Sequence, residues 1–132
     1  MSSRHKTPEG ATLAAVLSYL SLCGIFHFRN NTGGTPLHDG SGRYRPAPKS
    51  SVGSPDIIGI ATAPCDNEGG FPRCGFPHPL PLAVEVKSAK GLQSPAQREF
   101  QRKWEAAGGI YLIARSVPEL RAKLRECGVA AR

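Results

Sequence analysis

What these 132 residues lack narrows the field first. No apolar run is long enough to cross a bilayer, which takes about 20 consecutive residues. The nearest stretch, Ala11 to Phe26, is diluted by Ser18, Tyr19 and Ser21. Arg4, His5 and Lys6 precede it as they would precede a secretory signal, but Pro8-Glu9-Gly10 interrupts the approach and no small-x-small cleavage site follows before His27-Phe28-Arg29. The stretch therefore reads as an amphipathic helix, with no membrane partner and a cytoplasmic location expected. Cysteine is scarce too. The four cysteines form no Cys-x2-Cys knuckle, so a structural zinc on Cys65, Cys74 and His78, with His38 as a fourth ligand, stands only as an alternative to an insertion holding reduced thiols. An even cysteine count also permits a disulfide-stapled secreted protein, a reading that thiol counting under denaturant would decide. Acid is in deficit: ten Asp and Glu against seventeen Lys and Arg leave a net charge of +7, which suits a polyanionic partner. No internal repeat is present, and the length fits one domain over residues 1–132 with a single core.

Punctuation is plentiful, with 15 glycines and 12 prolines, so long loops are expected over 32–54 and 62–80 between regular elements. Thr7-Pro8-Glu9 opens the first helix, with Leu13, Val16, Leu17 and Leu20 as its buried stripe and Gly24 as its stop. Ile25 to Arg29 reads as a strand running into the turn Asn30-Asn31-Thr32-Gly33-Gly34. Ser94-Pro95-Ala96-Gln97 is a capping signature, placing Ala96, Phe100, Trp104 and Ala107 toward the core and Arg98, Arg102 and Lys103 off that stripe. Gly108-Gly109 ends this helix. The run Ile110 to Ala114 reads as a strand covered on both faces. Ser116-Val117-Pro118-Glu119 repeats the capping pattern for a last helix stopped by Gly128, with Leu120 and Leu124 inward and Arg121, Lys123 and Arg125 outward. The expected order is αβββαβα, an α/β fold with a mixed central sheet flanked by helices.

Two apolar runs, Ile57 to Ile60 and Leu82 to Val86, carry charge where a buried strand should not. Asp56 opens the first; Glu85 and Lys87, two apart, project from one face at the end of the second. If the strands pair, Asp56 lies beside Glu85, and two carboxylates with a neighbouring ammonium suit Mg2+ or Mn2+. Lys87 then orients or deprotonates water and offsets charge on a phosphoryl group. A structural ion pair between Lys87 and either acid is the alternative from the same residues. In the long loop, Tyr44 between Arg43 and Arg45 sets a stacking ring beside two phosphate-seeking groups.

Pro55-Asp56 followed by Glu85-x-Lys87 resembles the PD-(D/E)XK nuclease signature. Phe28-Arg29-Asn30-Asn31-Thr32-Gly33, Ser54-Pro55-Asp56-Ile57-Ile58-Gly59, Val84-Glu85-Val86-Lys87-Ser88, Gly91-Leu92-Gln93-Ser94-Pro95-Ala96-Gln97 and Ala107-Gly108-Gly109-Ile110-Tyr111, in that order, resemble the VRR-NUC branch. The resemblance implies a restriction-endonuclease-like core and Mg2+- or Mn2+-dependent hydrolysis of phosphodiesters in structured or branched DNA of Holliday-junction or flap type, as in DNA repair and recombination. It implies Asp56, Glu85 and the Val86 carbonyl as metal ligands, Glu9 as an added acid whose other reading is a helix-start charge, Lys87 as the catalytic base, and Gln97 near the site as well as in its cap. Arg29 and Asn31 are expected on the DNA backbone, and Arg43, Tyr44, Arg45 and Arg98 as further DNA contacts. A homodimer and a bacterial or phage-infected host cell are further implications. A DNA-binding module without chemistry is the alternative on the same fold.

Overall fold

The structure, a computed structural model, describes residues 8–30, 35–45, 52–64 and 77–130. Three helices, α1 (Pro8–Leu22), α2 (Pro95–Ala106) and α3 (Val117–Glu126), accompany six strands: β1 (Phe26–Arg29), β2 (Thr35–Pro36), β3 (Tyr44–Arg45), β4 (Ile57–Ala63), β5 (His78–Val86) and β6 (Ile110–Ala114). Four strands form an open mixed sheet in the order β1-β4-β5-β6. The first three are antiparallel, and β6 joins β5 in parallel after α2 has carried the chain over. The fold is α/β, as expected.

Helix boundaries follow the local chemistry. Ser94 and Ser116 accept from the N–H groups of Gln97 and Glu119, which satisfies first-turn donors that otherwise have no partner. All three helices stop alike. Gly24, Gly108 and Gly128 take positive φ, and the residue after each donates back to Leu20, Trp104 or Leu124, the Schellman closure that a side chain would strain.

Opposed residues in a sheet share a face, so the register separates two surfaces. One carries Ile57, Ala61, Leu82, Val84, Val86, Leu112 and Ala114 and packs on Val16 and Leu20 of α1 and Leu120 and Leu124 of α3. The other carries Phe26, Phe28, Ile58, Ile60, Ala83, Glu85 and Tyr111. There α2 lies mainly over β6, the edge strand, and leaves Phe26, Phe28 and Ile60 exposed.

Three expectations need correction. The 32–54 stretch is not wholly loop: β2 and β3 pair as a small separate sheet. Strands β4 and β5 run on into the expected 62–80 loop, to Ala63 and back to His78. Prolines 79 and 81 do not stop β5, because they stand opposite Thr62 and Ile60, on the part of the strand that β6, beginning opposite Leu82, does not reach. Finally, α2 buries no residue fully. Phe100 and Trp104 stack at 5.6 Å between ring centroids but are only partly buried, and Ala107 is exposed, because a helix over an edge strand meets the sheet with only its inner side.

Candidate functional site

Strand pairing delivers the acids to one place. Ile57 stands opposite Val84; one step further along the same register Asp56 falls opposite Glu85. The Asp56 Oδ2 accepts from the Val86 N–H at 2.8 Å, so a carboxylate takes over the next rung of the ladder. Asn30 fixes this corner by donating from Nδ2 to Ser54 Oγ and the Pro55 carbonyl at 3.1 and 3.0 Å, and from its own N–H to the Asp56 carbonyl at 2.7 Å. Gly53 lets the chain pass tight against α2, since a Cβ there would fall 2.5 Å from the Ala96 carbonyl group.

Gln97 serves two ends at once. Its Oε1 accepts from the Ser94 N–H at 2.8 Å in the capping box, which leaves Nε2 to donate to Glu85 Oε1 at 2.9 Å. The Lys87 ammonium stands 3.8 Å from the same oxygen, with both side chains almost enclosed. The other oxygen, Oε2, is buried without a hydrogen-bond partner among the described residues, and the carboxyl has Asp56 for a neighbour. Two ionised carboxylates can offer each other nothing; one must hold a proton, or a cation must come between them. Accordingly, burial first and the Asp56 charge second push the Glu85 carboxyl up to about 8, against the pull of Lys87, with Glu9 adding a weaker push.

This corner opens into a cleft of about 410 Å3 lined by Glu9, Gly10, Leu13, Arg29, Asp56 and Val86. A larger and more apolar groove of about 610 Å3, between Val52 and the Phe100 side of α2, is lined by none of Asp56, Glu85 or Lys87.

Comparison with family models, curated proteins and solved structures gives no match.

Of the residues singled out in the sequence, the fold brings together Asp56, Glu85, Val86, Lys87 and Gln97, with Glu9 and Arg29 on the cleft. Val86 enters through its N–H. Glu9 stays within electrostatic reach, and among the described residues no three His, Cys, Asp or Glu side chains gather as a ready-made metal cluster. The remaining candidates are elsewhere. Arg43 is exposed and paired with Asp39 at 3.7 Å; it and Arg45 belong to the β2–β3 hairpin, which no ladder joins to the main sheet. Arg98 is exposed on α2, donating to the Gln93 carbonyl at 3.0 Å. Arg102 and Lys103 are both answered by Glu99. Asn31, the ring of Tyr44, Thr7, Cys65 and Cys74 lie outside the described residues, while His78 begins β5 and His38 is exposed. Cys23 and Cys127 are free thiols.

Arg115 was not anticipated. Its Nη1 donates to the carbonyls of Ser88 and Gly91 at 2.6 and 2.7 Å, and Lys87 N–H donates to the Ala114 carbonyl at 3.1 Å. The end of β6 thus holds the segment between Lys87 and the α2 cap. Its only sequence signal is a cation directly after a buried strand.

Proposed function

We propose that this chain is a divalent-metal-dependent endodeoxyribonuclease with a restriction-endonuclease-like core, acting on structured or branched DNA. The observation that carries the reading is the buried Glu85 carboxyl. One oxygen is held by Gln97 and approached by Lys87, the other has no hydrogen-bond partner among the described residues, and Asp56 stands against the carboxyl. A structural ion pair would not leave a buried oxygen empty and force a second acid against it.

The donor set fits Mg2+ or Mn2+: all oxygen, two carboxylates, and the open cleft for water, where such ions need only one or two protein carboxylates. Asp56 and Glu85 would hold the ion, with the Val86 carbonyl as a further ligand and Glu9 as an outer acid. Once bound, the ion would supply Lewis-acid polarisation of the phosphodiester and a more acidic water. The chain's own groups do the rest. Gln97 fixes Glu85 so that its free oxygen keeps facing Asp56. Lys87, whose backbone N–H is held by the Ala114 carbonyl, uses its Nζ to orient the attacking water and offset negative charge that builds on the phosphoryl oxygens. Arg29, at the rim, takes a neighbouring phosphate and sets the register of the strand without reading its sequence. The homodimer belongs to the same reading and rests on the resemblance to the VRR-NUC branch.

Nicking of fluorescent junction, flap and plain duplex DNA in Mg2+ tests the proposal. Lys87→Ala should cut at a rate lower by about two to three orders of magnitude while binding DNA as before. Cleavage at the wild-type rate would refute the assignment, and binding by the wild type without any metal-dependent cutting would favour the non-catalytic module.

A further inference from the structure

Away from the cleft, two depressions of about 400 and 500 Å3 lie side by side where α1 packs on α3, and Tyr19, Arg121 and Arg125 line both. The two arginines stand one turn apart on α3 and share a side of it. Both are exposed, and both guanidiniums are within electrostatic reach of the Tyr19 phenol. Among the described residues no carboxylate lines either depression, and neither arginine makes an ion pair. The other cation of α3, Lys123, is answered by Glu119 at 2.6 Å. Arg125, in the last turn, also complements the dipole of α3. Arg121 lies a turn earlier, where that effect has faded, so the pair needs another reason.

We propose that Arg121, Arg125 and Tyr19 form a second nucleic-acid site that grips the phosphate backbone of another arm of a branched DNA. The inference deepens the reading of the cleft and rests on it. Glu9, at the cleft, and Tyr19 are ten residues apart on α1, which places them about 15 Å apart along the helix and about 80° apart around it. A straight duplex seated in the cleft leaves on a different side of α1; a second arm, diverging at a branch, meets the arginines. Along α3 the two guanidinium stems start about 6 Å apart, a spacing that suits neighbouring phosphates of one strand. Tyr19, whose hydroxyl is hydrogen-bonded with Cys23, adds an aromatic ring to the same lining.

The test is fluorescence anisotropy, in EDTA to prevent cutting, with a four-way junction and a linear duplex of equal arm length as probes. An Arg121→Gln/Arg125→Gln double variant should bind the junction about tenfold more weakly and with a salt dependence shallower by about two charges, while its affinity for the linear duplex changes far less. An Arg121→Lys/Arg125→Lys variant should keep most of the junction affinity. The proposal is overturned by an unchanged junction affinity, by equal losses on both probes, or by a wild type that prefers neither. Parallel nicking assays of the wild type in Mg2+ keep the two ideas apart. Metal-dependent cutting with an unchanged junction preference removes only the second site, whereas selective loss of junction binding without any cutting removes only the nuclease.

Discussion

The two faces of the sheet are built to different rules. The face under α1 and α3 is closed and apolar, with Leu20, Ile57, Leu82, Val84 and Leu120 fully enclosed. The face under α2 is half open: it leaves Phe26 and Phe28 more than half exposed, yet encloses a carboxyl, Glu85, at 3% exposure. One side therefore supplies stability through area removed from water. The other places a costly group where no packing argument would put it, as a site needing a poised acid requires. Substitutions on the closed face should change folding and spare chemistry; those around Glu85 should do the reverse.

The largest effect on folding is expected from the closed face. Leu20→Ala removes a side chain at the meeting of α1, α3 and the sheet and should cost about 2–5 kcal/mol, measured by urea denaturation. A loss below about 1 kcal/mol would mean that this face is less tightly closed than its burial indicates.

Glu85 gives a smaller effect that depends on pH. Its folded-state pKa of about 8 lies above the ordinary 4.5. A raised carboxyl contributes stability that is complete below the unfolded value and is lost as pH climbs through the folded one. Without metal, the protein should therefore melt at a lower temperature at pH 9 than at pH 5 on account of this group. Glu85→Gln should flatten that difference, and Mg2+ at pH 9 should raise the melting temperature of the wild type and not of the variant. An unaltered pH slope in the variant would show that the acid pair is not strained.

Much of this asymmetry was legible in the residues. Period-two alternation put Glu85 and Lys87 on one side, and Ser94-Pro95-Ala96-Gln97 announced a capping box whose amide then had one end left for Glu85. The capping serines and terminal glycines gave all three helices. What escaped depended on pairing at a distance. The start of β5 at His78 lay inside the expected 62–80 loop, because nothing local says that β6 begins only opposite Leu82 and leaves Pro79 and Pro81 clear of it. Arg115 binds carbonyls rather than charges, and its partners, Ser88 and Gly91, are set by a loop path that no pattern encodes. Arg43 looked free for phosphate, but the hairpin turn brings Asp39 back onto it.

The smallest effect is expected where the second face is open, and there the comparison is most exposed to failure. Phe28 is 51% exposed on β1, an edge strand, with Ile58 opposite it. If that half of the face bears little of the folding energy, Phe28→Thr, which keeps a side chain suited to a strand, should change stability by no more than about 0.5 kcal/mol in urea melts. A loss comparable to that of Leu20→Ala would mean that Phe28 is covered in solution, since area already in contact with water cannot be lost twice. The division between a closed face for stability and an open face for chemistry would then have to be redrawn, with the exposed aromatic pair of β1 counted as an interface and the cleft beside Asp56 as its neighbour.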